Sequence, residues 1–222
     1  MDIFLDTLDL ELIKKYNKMG ILSGVTTNPT LARKFNMPDD VEMISIVREV
    51  IGNKEVHVEA IGRTAEEIVE NALRLRRSQL GWEFLVFKIP FSEKGVEAVH
   101  ILKSTNITIK TNLHLIFSHN QVQLSTAVGT DYICPLVGRL DDSGHDAMLF
   151  IQELTSTFRT IGEKTKVMVS SVRHPMHVVK AYKAGAHVIT VPPSVLEQMF
   201  HHALTEEGIK KFEEDINESR TV

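Results

Sequence analysis

The chain has 222 residues, of which 43% are hydrophobic and 24% charged, with a formal net charge of -4. This balance excludes a disordered or fibrous chain, and no apolar run reaches the ~18 residues that span a bilayer. One cysteine, Cys134, leaves no pair for an internal disulfide, and no His-Glu-x-x-His pattern occurs among the scattered histidines. We therefore expect no metal. The absence of a long basic tract argues against nucleic acid as a partner. The acidic N-terminal segment lacks the positive charge of a signal peptide, so a cytoplasmic protein without a membrane partner is expected.

Short β-rich runs alternate with longer helical patterns. Ile3–Thr7 reads as a strand, followed by Leu10, Ile13, Tyr16 and Met19 at helical spacing up to Gly20. Gly24–Thr27 reads as a second strand, and Val41–Ile51 as a helix with Pro38 and Asp39 near its start. Val56–Ile61 alternates as strand three, before a helix over Ala65–Leu80. Phe84–Ile89 is a near-continuous apolar run ended by Pro90, the pattern of a strand buried on both faces of a parallel sheet. A helix over Glu93–Lys103 follows. Ile107–Leu113 reads as strand five, with a helix around Asn120–Val128. Tyr132–Val137 reads as strand six, with a helix over Ala147–Ile161. Lys166–Ser170 is strand seven, and its helix runs from Pro175 to Gly185. Val188–Val191 is strand eight, before a short helix over Val195–His202.

Eight strands alternating with helices predict an α/β fold, a single (β/α)8 TIM barrel over residues 1–203. Dividing 222 residues by eight gives about 28 per unit, a tight fit. The rival is an open doubly wound sheet, which no Gly-x-Gly-x-x-Gly supports. Glu206–Ile216 is left over as an extra C-terminal helix, with Ile209, Phe212 and Ile216 on one face. Residues 204–222 either cover the barrel bottom or, as we expect, pack on a neighbouring subunit.

In such a barrel chemistry gathers at the C-terminal ends of the strands. Asp6, Thr26, Thr27, Asn28, Glu59, Lys88, Asn112, Arg139, Ser170, Ser171 and Arg173 fall there. Helix capping accounts equally well for Asp6, Asn28 or Ser171 taken singly, but not for Lys, Arg and Glu. Lys88 lies among Phe84, Leu85, Val86, Phe87 and Ile89. Burial is expected to lower its pKa and leave a neutral amine able to form a Schiff base. The bland alternative is a structural lysine paired with Asp6 or Glu59. Lys110 is a rival with fewer apolar neighbours. Glu59 could move protons or position water, or only compensate charge. Arg139 and Arg173, with the Ser171 hydroxyl, suit a phosphate; surface ion pairs are the alternative.

The motifs FLDT at 4–7, GVTTNPT at 24–30, VHVEA at 56–60, FKIP at 87–90, TNLHLIFS at 111–118, PLVGRLDD at 135–142 and SSVRHP at 170–175 span the chain. Together they resemble the transaldolases, in particular the small subfamily that includes fructose-6-phosphate aldolase. The resemblance implies metal-free, cofactor-free class I aldol chemistry on phosphosugars, in the pentose phosphate pathway for a transaldolase. It implies Lys88 as the Schiff-base lysine, Asp6 as acid/base and Glu59 as the carboxylate that activates water. It makes Thr26, Asn28, Asn112, His114 and Cys134 substrate-binding positions, and Arg139, Ser171 and Arg173 the phosphate group. It also implies a homo-oligomer, a pentamer or decamer. Glu59 and Leu136 favour transaldolase over the aldolase branch, which resembles glutamine and tyrosine there. His114, Cys134 and Leu136 depart from the family's threonine, serine and aromatic residue, so a non-catalytic sugar-phosphate binder is the third alternative. His114 would pair with Glu59, displace the water or act as a base.

Overall fold

The computed structural model describes residues 1–37, 39–78, 82–105 and 108–219. Eight strands form a closed barrel in sequence order: β1 (Asp2–Asp6), β2 (Gly24–Thr26), β3 (Glu55–Glu59), β4 (Leu85–Pro90), β5 (Lys110–Ile116), β6 (Tyr132–Pro135), β7 (Lys166–Val169) and β8 (Val188–Val191). Each pairs in parallel with the next, and β1 closes on β8. The helices around it are α1 (Leu10–Lys18), α2 (Pro29–Lys34), α3 (Asp40–Ile51), α4 (Ala65–Arg77), α5 (Glu93–Ser104), α6 (His119–Ala127), α7 (Val137–Asp142), α8 (Ala147–Ile161), α9 (Pro175–Lys183), α10 (Pro193–Gln198) and α11 (Ala203–Ser219). The expected α/β (β/α)8 barrel is the fold.

Local chemistry sets the elements. In β4 every residue but the last is buried, as its apolar run demands. Asp9, Ser92 and Ser118 start α1, α5 and α6 by accepting backbone N–H bonds that the first turn leaves open. The outer core lies between strands and helices, built from residues such as Ile44, Ile68, Leu102 and Ile151. A smaller apolar cluster comprises Phe4, Val86, Tyr132, Cys134, Met168 and Val188. Gly24 makes room for Phe4: a Cβ there would stand 2.3 Å from the Phe4 ring.

Two helices escape the sequence reading. Short α2 and α7 follow β2 and β6, and strand six stops at Pro135 because Val137 opens α7. Strand five runs on to Ile116; its expected start, Ile107, lies outside the described residues, as do Leu80 and Pro38. Helix α11 begins at Ala203, earlier than periodicity suggested. No residue of α11 is buried, so it does not cover its own barrel, and Leu204 and Phe212 are 71% and 67% exposed. Among the described residues no helix is long and apolar enough to cross a membrane.

Candidate active site

Asp6, Thr26 and Glu59 are the last residues of β1, β2 and β3, and Lys88 stands in register with Glu59 on β4. The barrel sterics therefore bring four strand ends to one point. A cavity of about 440 Å³ opens there, lined among others by Asp6, Glu59, Lys88, His114, Arg139 and Ser171. Thr26, Asn28 and Cys134 also line it. A second, more apolar hollow of about 520 Å³ adjoins it and shares Asn28 and Glu59.

Lys88 Nζ donates to Glu59 Oε1 at 2.9 Å and to the Thr27 carbonyl at 2.8 Å. Both charged side chains are 9% exposed. Burial alone would lower the Lys88 pKa, as expected from sequence. The outcome is the reverse: the neighbouring charges, Glu59 foremost, outweigh burial and raise it. The resting amine is thus an ammonium held by Glu59, a correction that only the pairing could supply. Burial would likewise raise Glu59, but Lys88 and His114 bring it down to about 2.

His114 Nε2 lies 3.0 Å from Glu59 Oε2. Of the three roles open to it, the structure supplies the pairing with Glu59. Burial pushes His114 below its ordinary pKa, against the pull of Glu59. A neutral imidazole that donates from Nε2 fits this geometry.

Asp6 differs from Glu59. Burial raises its pKa, outweighing Lys88 and a 2.8 Å bond from the Thr26 hydroxyl. Thr26 Oγ1 also lies 2.6 Å from Thr190 Oγ1. Thr26 gives its hydrogen to Asp6, so Thr190 donates to Thr26. Two carboxyls near one lysine are thereby pushed apart, one toward the acid and one toward the anion, a separation suited to acid/base work. Cys134 is buried, with its thiol pushed up to about 11 by burial. It is a neutral wall of the cavity, not a nucleophile.

The remaining positions divide. Asn28 lines the cavity and also caps α2, accepting from Leu31 N–H at 3.0 Å. Asn112 is fully buried in register with Lys88 and is not a lining residue. Arg139 and Ser171 line the mouth, Ser171 in a left-handed conformation at φ 59. Arg173 does not line it; its guanidinium pairs with Asp142. Gly138 gives Arg173 its place, since a Cβ there would stand 2.5 Å from Arg173 Nε and 2.3 Å from the Ser171 carbonyl. Lys110 pairs with Glu55 at 2.7 Å, at the start of β5, away from the cavity. Sequence reasoning missed Thr190, whose signal is a lone hydroxyl in the apolar strand VITV, and Asp142. Among the described residues no three His, Cys, Asp or Glu side chains converge as metal ligands do.

The arrangement defines a class: a (β/α)8 barrel with a buried lysine–carboxylate pair and a second carboxyl at its catalytic end. Comparison with known proteins narrows this. The transaldolase/fructose-6-phosphate aldolase family model matches residues 3–221. A probable transaldolase of Methanococcus maripaludis is 42% identical over 96% of this chain and 95% of its own. Another, from Geobacillus sp., is 40% identical over 99% of this chain and 100% of its own. A third, from Nitrosopumilus maritimus, is 42% identical over 97% and 94%. The chain belongs to the transaldolase/fructose-6-phosphate aldolase family.

Proposed function

We propose that the protein is a transaldolase that moves a dihydroxyacetone unit between phosphosugars through a Schiff base on Lys88. The observation that carries this reading is the buried Lys88–Glu59 pair beside Asp6 in one cavity. Sedoheptulose 7-phosphate and glyceraldehyde 3-phosphate give erythrose 4-phosphate and fructose 6-phosphate, a step of the pentose phosphate pathway in the cytoplasm.

Lys88 first gives up its proton to solvent as the entering ketose separates it from Glu59. The free amine attacks the keto carbon, and loss of water gives an iminium. The iminium withdraws electrons from the adjacent carbon–carbon bond. Asp6, in its ionised form, takes the hydroxyl proton of the departing aldose phosphate as that bond breaks. The retained enamine attacks the aldehyde of the acceptor, and Asp6 returns the proton to the new hydroxyl. Glu59 and His114 then direct water to the iminium, which releases the product and restores Lys88. Arg139 and Ser171, which line the cavity, take the phosphate end of such a sugar, and Arg173 joins them by leaving Asp142.

The aldolase reading, in which water releases free dihydroxyacetone, is disfavoured by Leu136, an apolar cavity wall without a proton to give. Helix α11, with its exposed apolar face, suits packing on a second copy in a homo-oligomer. The test is incubation with fructose 6-phosphate, reduction with borohydride and mapping of the adduct. A three-carbon adduct on Lys88 is expected. Its absence would overturn both enzyme readings in favour of a binder, and free dihydroxyacetone without an acceptor would favour the aldolase.

A further inference from the structure

Helix α9 starts at Pro175 behind His174, whose side chain makes no capping bond. His177, the third residue of the helix, reaches back instead. It is buried, and its Nδ1 accepts from the Arg173 N–H at 3.3 Å. Its Nε2 lies 2.9 Å from Asp141 Oδ2 on α7. The other oxygen of Asp141 accepts from Ala147 N–H at 3.2 Å, at the start of α8. A carboxylate only accepts, so His177 Nε2 carries a hydrogen. Burial, with His174 and Lys180 nearby, holds the ring below its ordinary pKa against the pull of Asp141. The ring is therefore neutral at neutral pH, and Nδ1 is free to accept.

The turn that this bond fixes joins β7 to α9 and carries Ser171, which lines the cavity, and Arg173. Its first half is held by α7: Val137 N–H donates to the Ser170 carbonyl at 3.0 Å and Gly138 N–H to the Ser171 carbonyl at 3.1 Å. Ser171 needs such support, because a serine at φ 59 is in the left-handed region. Arg173 is tied to α7 through its guanidinium on Asp142, where both partners are half exposed. It is tied again through its N–H, by way of His177 and Asp141. In the proposed reading Arg173 leaves Asp142 to grip a phosphate, and the buried tie through His177 remains.

We propose that His177 is a positioning residue: it ties the Arg173 backbone to Asp141 on α7 and so holds Ser171 and Arg173 at a fixed spacing from Arg139, which lines the cavity from the same helix. The proposal rests on the reading above for the phosphate that these side chains grip. A helix cap alone would need only the Nδ1 bond; the Nε2 bond is the one that reaches across to α7.

The test measures the dissociation constant of inorganic phosphate, and kcat and KM for fructose 6-phosphate with saturating acceptor. Leucine at 177 loses both bonds. Asparagine keeps an acceptor where Nδ1 stood but falls short of Asp141. Both His177→Leu and His177→Asn are expected to weaken phosphate binding and raise KM about tenfold, with kcat within about threefold of native. Asp141→Ala should do the same, and the double variant with His177→Leu should be no worse than either single one. Native phosphate affinity in His177→Leu, its return in His177→Asn, a kcat that falls as far as affinity does, or losses that multiply in the double variant would each overturn the proposal. Should His177→Leu not fold, a long-range proton–nitrogen NMR spectrum of the native protein decides. Hydrogen on Nε2 alone is expected, and hydrogen on Nδ1 overturns it. A native protein that binds phosphate but forms no Lys88 adduct defeats the Schiff-base reading and leaves this test intact. A native protein that binds no phosphate overturns the proposal itself.

Discussion

Glu59 Oε2 stands 3.0 Å from His114 Nε2, using the oxygen that Lys88 leaves free. One carboxylate therefore pairs with both the Lys88 ammonium and the His114 imidazole. In the proposed reading, replacing Glu59 by Gln removes the carboxylate that directs water to the iminium with His114. The kcat should fall about 10²–10⁴-fold, the range of a lost acid/base group. Steady-state rates with saturating donor check this, and a fall of less than about threefold would deny Glu59 its role.

His114 should make the rate sensitive to acid. Burial holds its pKa below the ordinary 6.5, so the imidazole is neutral at neutral pH and gains charge only as pH falls. A charged ring beside Glu59 competes with Lys88 for that carboxylate. The native rate should decline toward the acid end of a profile from about pH 5.5 to 8.5, and His114→Thr should flatten that decline. Superimposable profiles would sink the idea.

Glu55 should contribute stability that acid removes. Its folded pKa is lowered from 4.5 to about 2. A depressed carboxyl stabilises fully above its unfolded value and loses that contribution as pH falls through the folded one. The difference in urea midpoint between native protein and Glu55→Gln should be largest above about pH 4.5 and shrink toward about pH 2. A difference independent of pH would speak against it.

Gly138→Ala should disturb Ser171 and Arg173, which the proposed reading assigns to the phosphate. The added Cβ meets the Ser171 carbonyl at 2.3 Å and Arg173 Nε at 2.5 Å. Overpacking of this kind costs about 1–3 kcal/mol and displaces what it strikes. A melting curve and KM for a phosphorylated donor should both worsen, KM by about tenfold. Native KM in the variant would exclude this loop from phosphate binding.

Truncation after Ala203 removes nearly all of α11, which buries no residue in its own barrel. If α11 packs on a second copy as proposed, the barrel should stay folded while the assembly loses subunits. Light scattering with circular dichroism reads both, and an unchanged mass would remove the helix from the interface.

Much of this molecule is readable along the chain because its signals are local. Apolar runs such as Leu85–Ile89 and Val188–Val191 announce strands buried on both faces, and capping residues such as Asp9 and Ser92 announce helix starts. Polar side chains such as Glu59 and Lys88 stand out in those runs, so their meeting at one barrel end follows once eight units are counted. Helices α2 and α7 have six residues each and show little of a period; α10, equally short, is legible in the sequence with its bounds shifted.

What the chain alone left open is who pairs with whom. The sign of the Lys88 shift turns on Glu59, 29 residues away in sequence, and Arg173 turns from the cavity toward Asp142, 31 residues away. His57 meets Asn112 across 55 residues, and Glu55 meets Tyr132 across 77. Composition and periodicity determine that these groups belong to a barrel. Only its closure decides which charges and lone pairs face each other, because charge state and tautomer depend on ångström-scale neighbours that no local pattern encodes.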